Sequence, residues 1–187
     1  MAFRLLVAVV VLLIVGVAGC GGGGGGSGTT ASAPKPTGTT LGLNSTAFVD
    51  GASIPKRYTC DGEGTSPPLT WSRVPSRARS LALTVEDPDA TSGTFVHWSM
   101  WDIPRGSAGT NPGKVPPGSV QGRNSAGSTG YTGPCPPPGD SAHHYVFRIY
   151  ALDDDLGLAA GASPDAVRTA INQHAIASGT LTGRYRR

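Results

Sequence analysis

Acidic residues are missing from the first forty positions, aromatic residues make up only 6% of the 187-residue chain, and charged residues 14%. The first absence divides the chain, because those forty positions also hold ten of the 28 glycines. The modest charge content excludes a highly charged disordered polymer, and scarce aromatics do not prevent a compact aliphatic core. No apolar run reaches the roughly 18 residues that a membrane-spanning helix requires; the run Leu5 to Val15 has eleven. There is no GxSxG elbow and no HExxH pair, and the six consecutive glycines are not followed by Gly-Lys-Ser/Thr. A serine-hydrolase elbow, a metalloprotease helix and a P-loop therefore have no support in the sequence.

Of the 15 basic residues, Arg4 and Lys35 precede Leu41, leaving 13 against 12 acids in the remainder. That balance argues against a nucleic-acid footprint. The segment from Leu41 to Arg187, roughly 147 residues, has the size of one domain. Glycine, proline and β-branched residues favour strands joined by tight turns.

A positive start, Met1 to Arg4, followed by the apolar run reads as a secretory signal over residues 1–19. Val17-Ala18-Gly19-Cys20 resembles the lipobox of bacterial lipoproteins. That resemblance implies a mature chain that begins at an acylated Cys20 and sits on the outer face of the bacterial cell membrane. An ordinary signal peptide cut nearby is the alternative. Residues 20–40, rich in Gly, Ser, Thr, Ala and Pro, cannot bury enough surface to offset their ordering entropy and read as a tether.

Within the domain, Leu81, Leu83 and Val85 alternate with smaller or polar residues, which predicts a strand over 80–86 ending at the turn former Asp87-Pro88-Asp89. Phe95 to Ile103 is apolar at both phases, predicting a central strand with Phe95, His97, Ser99 and Trp101 on one face and Val96, Trp98 and Met100 on the other. His143 to Leu152 predicts a third strand with His143 and Tyr145 on one side. Ser163-Pro164-Asp165 supplies a helix start, and Val167, Ala170, Ile171 and Ala175 an apolar stripe on a helix closing near Gly179. The pattern is a mostly β single domain with a few short helices.

Asp87, Asp89, His97, His143 and Tyr145 all stand at strand ends or beside proline-rich loops. Converging on one pocket, they would make an anion site: a carboxylate orients an imidazole, the imidazole donates to an oxyanion, and a phenol adds a neutral donor. His174, on the helix, reads as an ordinary packed or surface histidine.

Several motifs then occur in a telling order: Ser66-Pro67-Pro68-Leu69-Thr70-Trp71, Asp87-Pro88-Asp89-Ala90, His97-Trp98, Ile103-Pro104, Gly130 to Pro137 (GYTGPCPP) and His143-His144-Tyr145. With them the chain resembles the phosphatidylethanolamine-binding protein family over essentially all of Leu41 to Arg187. The resemblance implies a β-sheet-dominated fold with a small cavity for phosphate, phosphorylethanolamine or similar head groups. It places Asp87, His97, His143 and Tyr145 in that cavity, the backbone of Cys135 and Pro136 at its rim, and Asp89 either there or simply capping the turn. Two departures stand out: Thr91, where the family often has proline, and His144, where it usually has arginine. Thr91 is expected at the pocket lip, and His144, by alternation, facing away from it.

Cys60 and Cys135 are an even remainder in an exported chain and predict a disulfide, with two buried thiols as the alternative. The reading is therefore a lipid-anchored, noncatalytic binding protein for an anionic or phosphorylated small molecule, with no cofactor and no metal. An inhibitor of an enzyme such as a protease or kinase, its protein target unknown, is the second reading.

Overall fold

Leu81, Leu83 and Val85 are each completely buried, and the strand that carries them is the middle of the protein. The computed structural model describes residues 40–187; the expected signal segment, Cys20 and all but the last residue of the tether lie outside the described residues. The described elements are β1 (Gly42–Asn44), a 3-10 turn (Lys56–Tyr58), β2 (Leu69–Ser72), β3 (Ser80–Asp87), β4 (Phe95–Pro104), β5 (Gly109–Thr110), β6 (Val120–Gln121), β7 (His143–Leu152), α1 (Pro164–His174) and β8 (Ala175–Tyr185). They form an antiparallel five-stranded sheet in the order β6-β4-β3-β7-β8 and a small sheet in the order β1-β2-β5. The mostly β architecture expected from the sequence is the one observed.

The large sheet buries both faces. Leu81, Leu83, Val85, Phe147 and Ile149 face the small sheet and pack with Leu43, Leu69 and Trp71 in the main core. Each such side chain contributes about 1.5–3 kcal/mol through burial. On the opposite face Ala82, Trp101, Tyr150 and Leu152 meet Val167 and Ile171, one turn apart on α1. The helix begins as its sequence predicts: Ser163 Oγ accepts the Ala166 N–H at 3.3 Å, and Pro164 fills the first position, where its missing N–H costs nothing.

Two local expectations fail. The helix does not run to Gly179; it ends at His174, and residues 175–185 form β8, paired with β7 from Leu152↔Ala175 to His143↔Tyr185. Its inward positions are Ala177, Gly179, Leu181, Gly183 and Tyr185, and the small residues among them hide the strand periodicity. They are small for a reason: a Cβ at Gly183 would collide with the side chains of Ile54 and Phe48. Segment 41–54 crosses that outer edge, with Gly51 and Ile54 donating to the carbonyls of Thr182 and Arg184, which keeps the edge from pairing with other chains.

The second failure lies in β4, where simple alternation breaks twice. Val85 pairs with Trp98 but Glu86 pairs with Val96, so His97 is an inserted residue. A second bulge places two residues, Trp101 and Asp102, opposite Ala82, with Asp102 at φ 50°. A bulge turns one extra side chain toward a face it would otherwise miss. Trp98, Met100 and Ile103 accordingly share the main core, while Trp101 joins the helix side. Because of the first bulge, Phe95 and His97 also turn to the face that carries Asp87, His143 and Tyr145.

Candidate functional site

Antiparallel pairing brings the end of β3 beside the beginnings of β4 and β7: Asp87 pairs with Phe95, and Glu86 with both Val96 and Val146. At this end of the sheet a cavity of about 260 Å³ is lined by Asp87, His97, His143 and Tyr145, with Cys135 and Pro136 on its rim. That volume is far above the roughly 10–15 Å³ that one water requires. Phe95, Ala126 and Pro137 supply apolar wall, and Thr91 stands at the lip. Asp89 is not among the lining residues.

Asp87 organises one wall. Its Oδ1 accepts the Asp89 N–H at 2.9 Å, closing the Asp87-Pro88-Asp89 turn, and its Oδ2 holds His143 Nδ1 at 2.8 Å. Both side chains are over nine-tenths buried. Burial works against the charged imidazole, but the hydrogen bond to Asp87 and the charges of Asp87, Asp89 and Asp140 outweigh it, so the His143 pKa stands above its ordinary value. With Nδ1–H donating to Asp87, Nε2–H is the remaining donor of the imidazolium.

His97 is held differently. Its Nδ1 lies 2.9 Å from the carbonyl oxygen of Thr132, which can only accept, so Nδ1 carries the proton. The Thr132 N–H donates to the His97 carbonyl at 2.9 Å, and the loop and strand are thereby tied on both sides of one residue. Burial is the main effect on this ring and lowers its pKa despite the Thr132 bond and the Asp87 charge. A neutral His97 presents Nε2 as an acceptor.

Tyr145 is fully buried, with its ring edge-on to His97 at 5.1 Å between centroids. Burial, followed by the nearby charge of Asp87, raises its pKa and keeps the phenol protonated. Its hydroxyl makes no hydrogen bond of good geometry among the described residues, although the Asp87 carboxylate lies close enough to help raise its pKa. A buried hydroxyl without a partner costs about 1–3 kcal/mol, a penalty that a polar guest relieves.

The rim is fixed from outside the sheet. Cys60 and Cys135 are joined in a disulfide with their Cα atoms 5.4 Å apart, and the Cys60 N–H donates to the Pro134 carbonyl at 3.1 Å. Gly133 lies so close to the 3-10 turn that a Cβ there would stand 2.9 Å from the Thr59 carbonyl carbon. Tyr131 donates to the Tyr58 carbonyl at 2.8 Å. The segment carrying Thr132, Cys135 and Pro136 is thus clamped to residues 58–60.

Asp89 points elsewhere: its Oδ2 takes both the backbone N–H and Nδ1 of His144 at 2.7 Å. Burial raises the Asp89 pKa, but these bonds and the His144 charge prevail and hold it low. His144 consequently fills the outer surface and not the cavity. His174 lies at the helix end with Nδ1 2.9 Å from Asp153 Oδ1. Sequence reasoning did not single out Phe95, Ala126, Thr132, Gly133 or Asp140. Thr132 acts through its carbonyl, which leaves no side-chain signature; Asp140 had a readable signal, a carboxylate three positions before His143 and directly after a Pro-Gly pair.

Taken together, the cavity offers a cationic donor at His143, a neutral donor at Tyr145 and an acceptor at His97. Such a set can hydrogen-bond a guest that presents two acceptor oxygens and one donor.

Comparison with known proteins follows the same lines. A family model described as phosphatidylethanolamine-binding protein matches residues 44–186. A UPF0098 protein of Methanothermobacter thermautotrophicus is 49% identical over 152 residues, covering 79% of this chain and 99% of that protein. LppC of Mycobacterium tuberculosis, whose name marks it as a candidate lipoprotein, is 43% identical over 81% of this chain and 75% of its own length. Among solved structures, the phosphatidylethanolamine-binding protein homolog CT736 of Chlamydia trachomatis superposes with a TM-score of 0.74 at 40% identity, covering 79% of this chain and 98% of that one. YbcL of E. coli, described as a new member of the mammalian PEBP family, gives 0.76 at 34% identity, covering 80% and 99%. With that match across the whole β domain, the chain belongs to the phosphatidylethanolamine-binding protein family.

Proposed function

We propose that this chain is a noncatalytic binding protein for phosphate-bearing small molecules such as phosphorylethanolamine head groups, displayed outside the cytoplasm on a lipid anchor at Cys20. The observation that carries the binding half is the unpartnered, fully buried Tyr145 hydroxyl in the cavity it shares with the Asp87-held imidazole of His143. A buried donor and a buried imidazolium beside each other favour a guest with oxyanion character. The anchoring half rests on Val17-Ala18-Gly19-Cys20, the tether behind it, and the lipoprotein name of LppC, a relative of similar domain.

The test is imidazole NMR during titration with inorganic phosphate and with phosphorylethanolamine between about pH 5 and 7, bracketing the ordinary histidine value. The ring signals of His143 and His97 are expected to move, saturably, with at least one of the two ligands. Because binding needs the His143 cation and its pKa is raised, affinity holds around pH 6.5 and falls as pH climbs through the folded-state value. Unmoved histidine signals at millimolar ligand would end the proposal.

A further inference from the structure

The two nitrogens of His143 face different carboxylates. Nδ1 is fixed on Asp87 at 2.8 Å, whereas Nε2 lies 3.8 Å from Asp140 Oδ2, too far for a hydrogen bond but within ion-pair range. Any anion that takes the free donor of His143 must therefore do so beside Asp140.

Asp140 is placed there by its backbone. It follows the clamped Cys135 segment, its N–H donates to the Pro137 carbonyl at 3.3 Å, and the preceding Gly139, at φ 92°, donates to the Arg187 carbonyl at 3.5 Å. Its side chain is 43% exposed and is not among the residues lining the cavity, so the carboxylate stands beside His143 outside the wall.

The neighbouring charges are already matched. Asp87 is occupied by His143 and the Asp89 N–H, and Asp89 by His144. Arg187 pairs with Asp61 at 3.3 Å and rests its Nη1 3.6 Å from Cys135 Sγ. Among the described residues, His143 is the cation within ion-pair range of Asp140. When a phosphate engages Nε2, Asp140 loses that counter-charge and faces a second negative group across a few ångströms. A simple anion meets repulsion; a ligand that brings its own cation next to the phosphate does not.

We propose that Asp140 sets the ligand selectivity of the cavity, disfavouring simple phosphate monoesters and favouring those with an ammonium one or two carbons away. This rests on the phosphate-binding reading above. At a half-exposed site the interaction of one charge with Asp140 amounts to about three- to tenfold in affinity.

The experiment compares two esters that differ by one ammonium group, ethyl phosphate and phosphorylethanolamine, titrated calorimetrically into the wild type, Asp140→Asn and Asp140→Glu. In the wild type phosphorylethanolamine is expected to bind about tenfold tighter. In Asp140→Asn ethyl phosphate gains about three- to tenfold while phosphorylethanolamine does not gain, and the preference collapses. Asp140→Glu, which keeps the charge, retains the preference and guards against an effect of loop distortion. Equal changes for both ligands in Asp140→Asn, or no wild-type preference, overturn the role of Asp140 while leaving phosphate binding intact. A wild type that binds neither ester overturns the binding reading itself.

Discussion

The five-stranded sheet has a cavity on each face, and each contains buried hydroxyls without partners among the described residues. On one face, at the end of the sheet where β3 meets β4 and β7, lies the 260 Å³ cavity with Tyr145. Under α1 lies a space of about 10 Å³ beside Thr84 and Ser99, whose hydroxyl oxygens are likewise unpartnered. The second is barely the size of one water and contains no histidine. An orphan hydroxyl alone therefore marks nothing; it gains chemical meaning when the space beside it admits a guest and when an ionisable group faces that guest. The difference arises from what closes each side. The helix packs Val167 and Ile171 directly onto the sheet, while the other face is closed at its end by loops clamped through Cys60–Cys135.

The largest expected effect tests that clamp. Replacing Cys60 and Cys135 together with serine removes the cross-link between residues 75 positions apart, which on the chain-entropy account costs about 4 kcal/mol of stability. Urea unfolding reads the loss. Native-state hydrogen exchange should show local opening at residues 58–60 and 130–136 beyond the global loss that α1 shares; equal loosening on both faces would erase the distinction between them.

A smaller effect comes from Asp87→Asn. Removing one partner of a buried ion pair costs about 3 kcal/mol, less where the abandoned imidazole can shed its proton. The pH profile separates the two histidines. His143, with its pKa raised, contributes stability that is complete below about pH 6.5 and is lost as pH rises through the folded value. His97, with its pKa lowered, contributes stability that is complete above about pH 6.5 and is lost as pH falls toward its folded value. Asp87→Asn should abolish the alkaline-side loss and keep the acid-side one. An unchanged alkaline limb would show that Asp87 does not hold the His143 proton.

The finest comparison sets Tyr145→Phe against Ser99→Ala. Each removes one orphan hydroxyl and should stabilise the free protein by about 1 kcal/mol. Tyr145→Phe should also weaken phosphate-ester binding about three- to tenfold, while Ser99→Ala leaves it unchanged. Equal effects on affinity would mean that the two faces are not functionally distinct.

The strands β3, β4 and β7 were legible because Leu81, Leu83 and Val85, the apolar run from Phe95, and Tyr145, Phe147 and Ile149 repeat with the strand period or fill both faces. β8 was not legible, since Gly179 and Gly183 occupy inward positions where a hydrophobic residue would have declared the period. For the cavity, Asp87, His97, His143 and Tyr145 could be chosen as a set from motif order. Thr132 could not, because a backbone carbonyl has no residue type.

The sequence by itself determined the main strands, the helix start at Ser163-Pro164 and the residue types gathered at the cavity, because these depend on composition and on patterns a few residues long. Only the tertiary structure decided that His97 faces Tyr145, since that needs an extra residue inserted against Val85 and Glu86, and pairing register belongs to two strands at once. It also decided that Asp140 stands before Nε2 of His143, where a disulfide, a turn and the C-terminal carbonyl meet. Such placements depend on contacts between distant segments, to which local periodicity is blind.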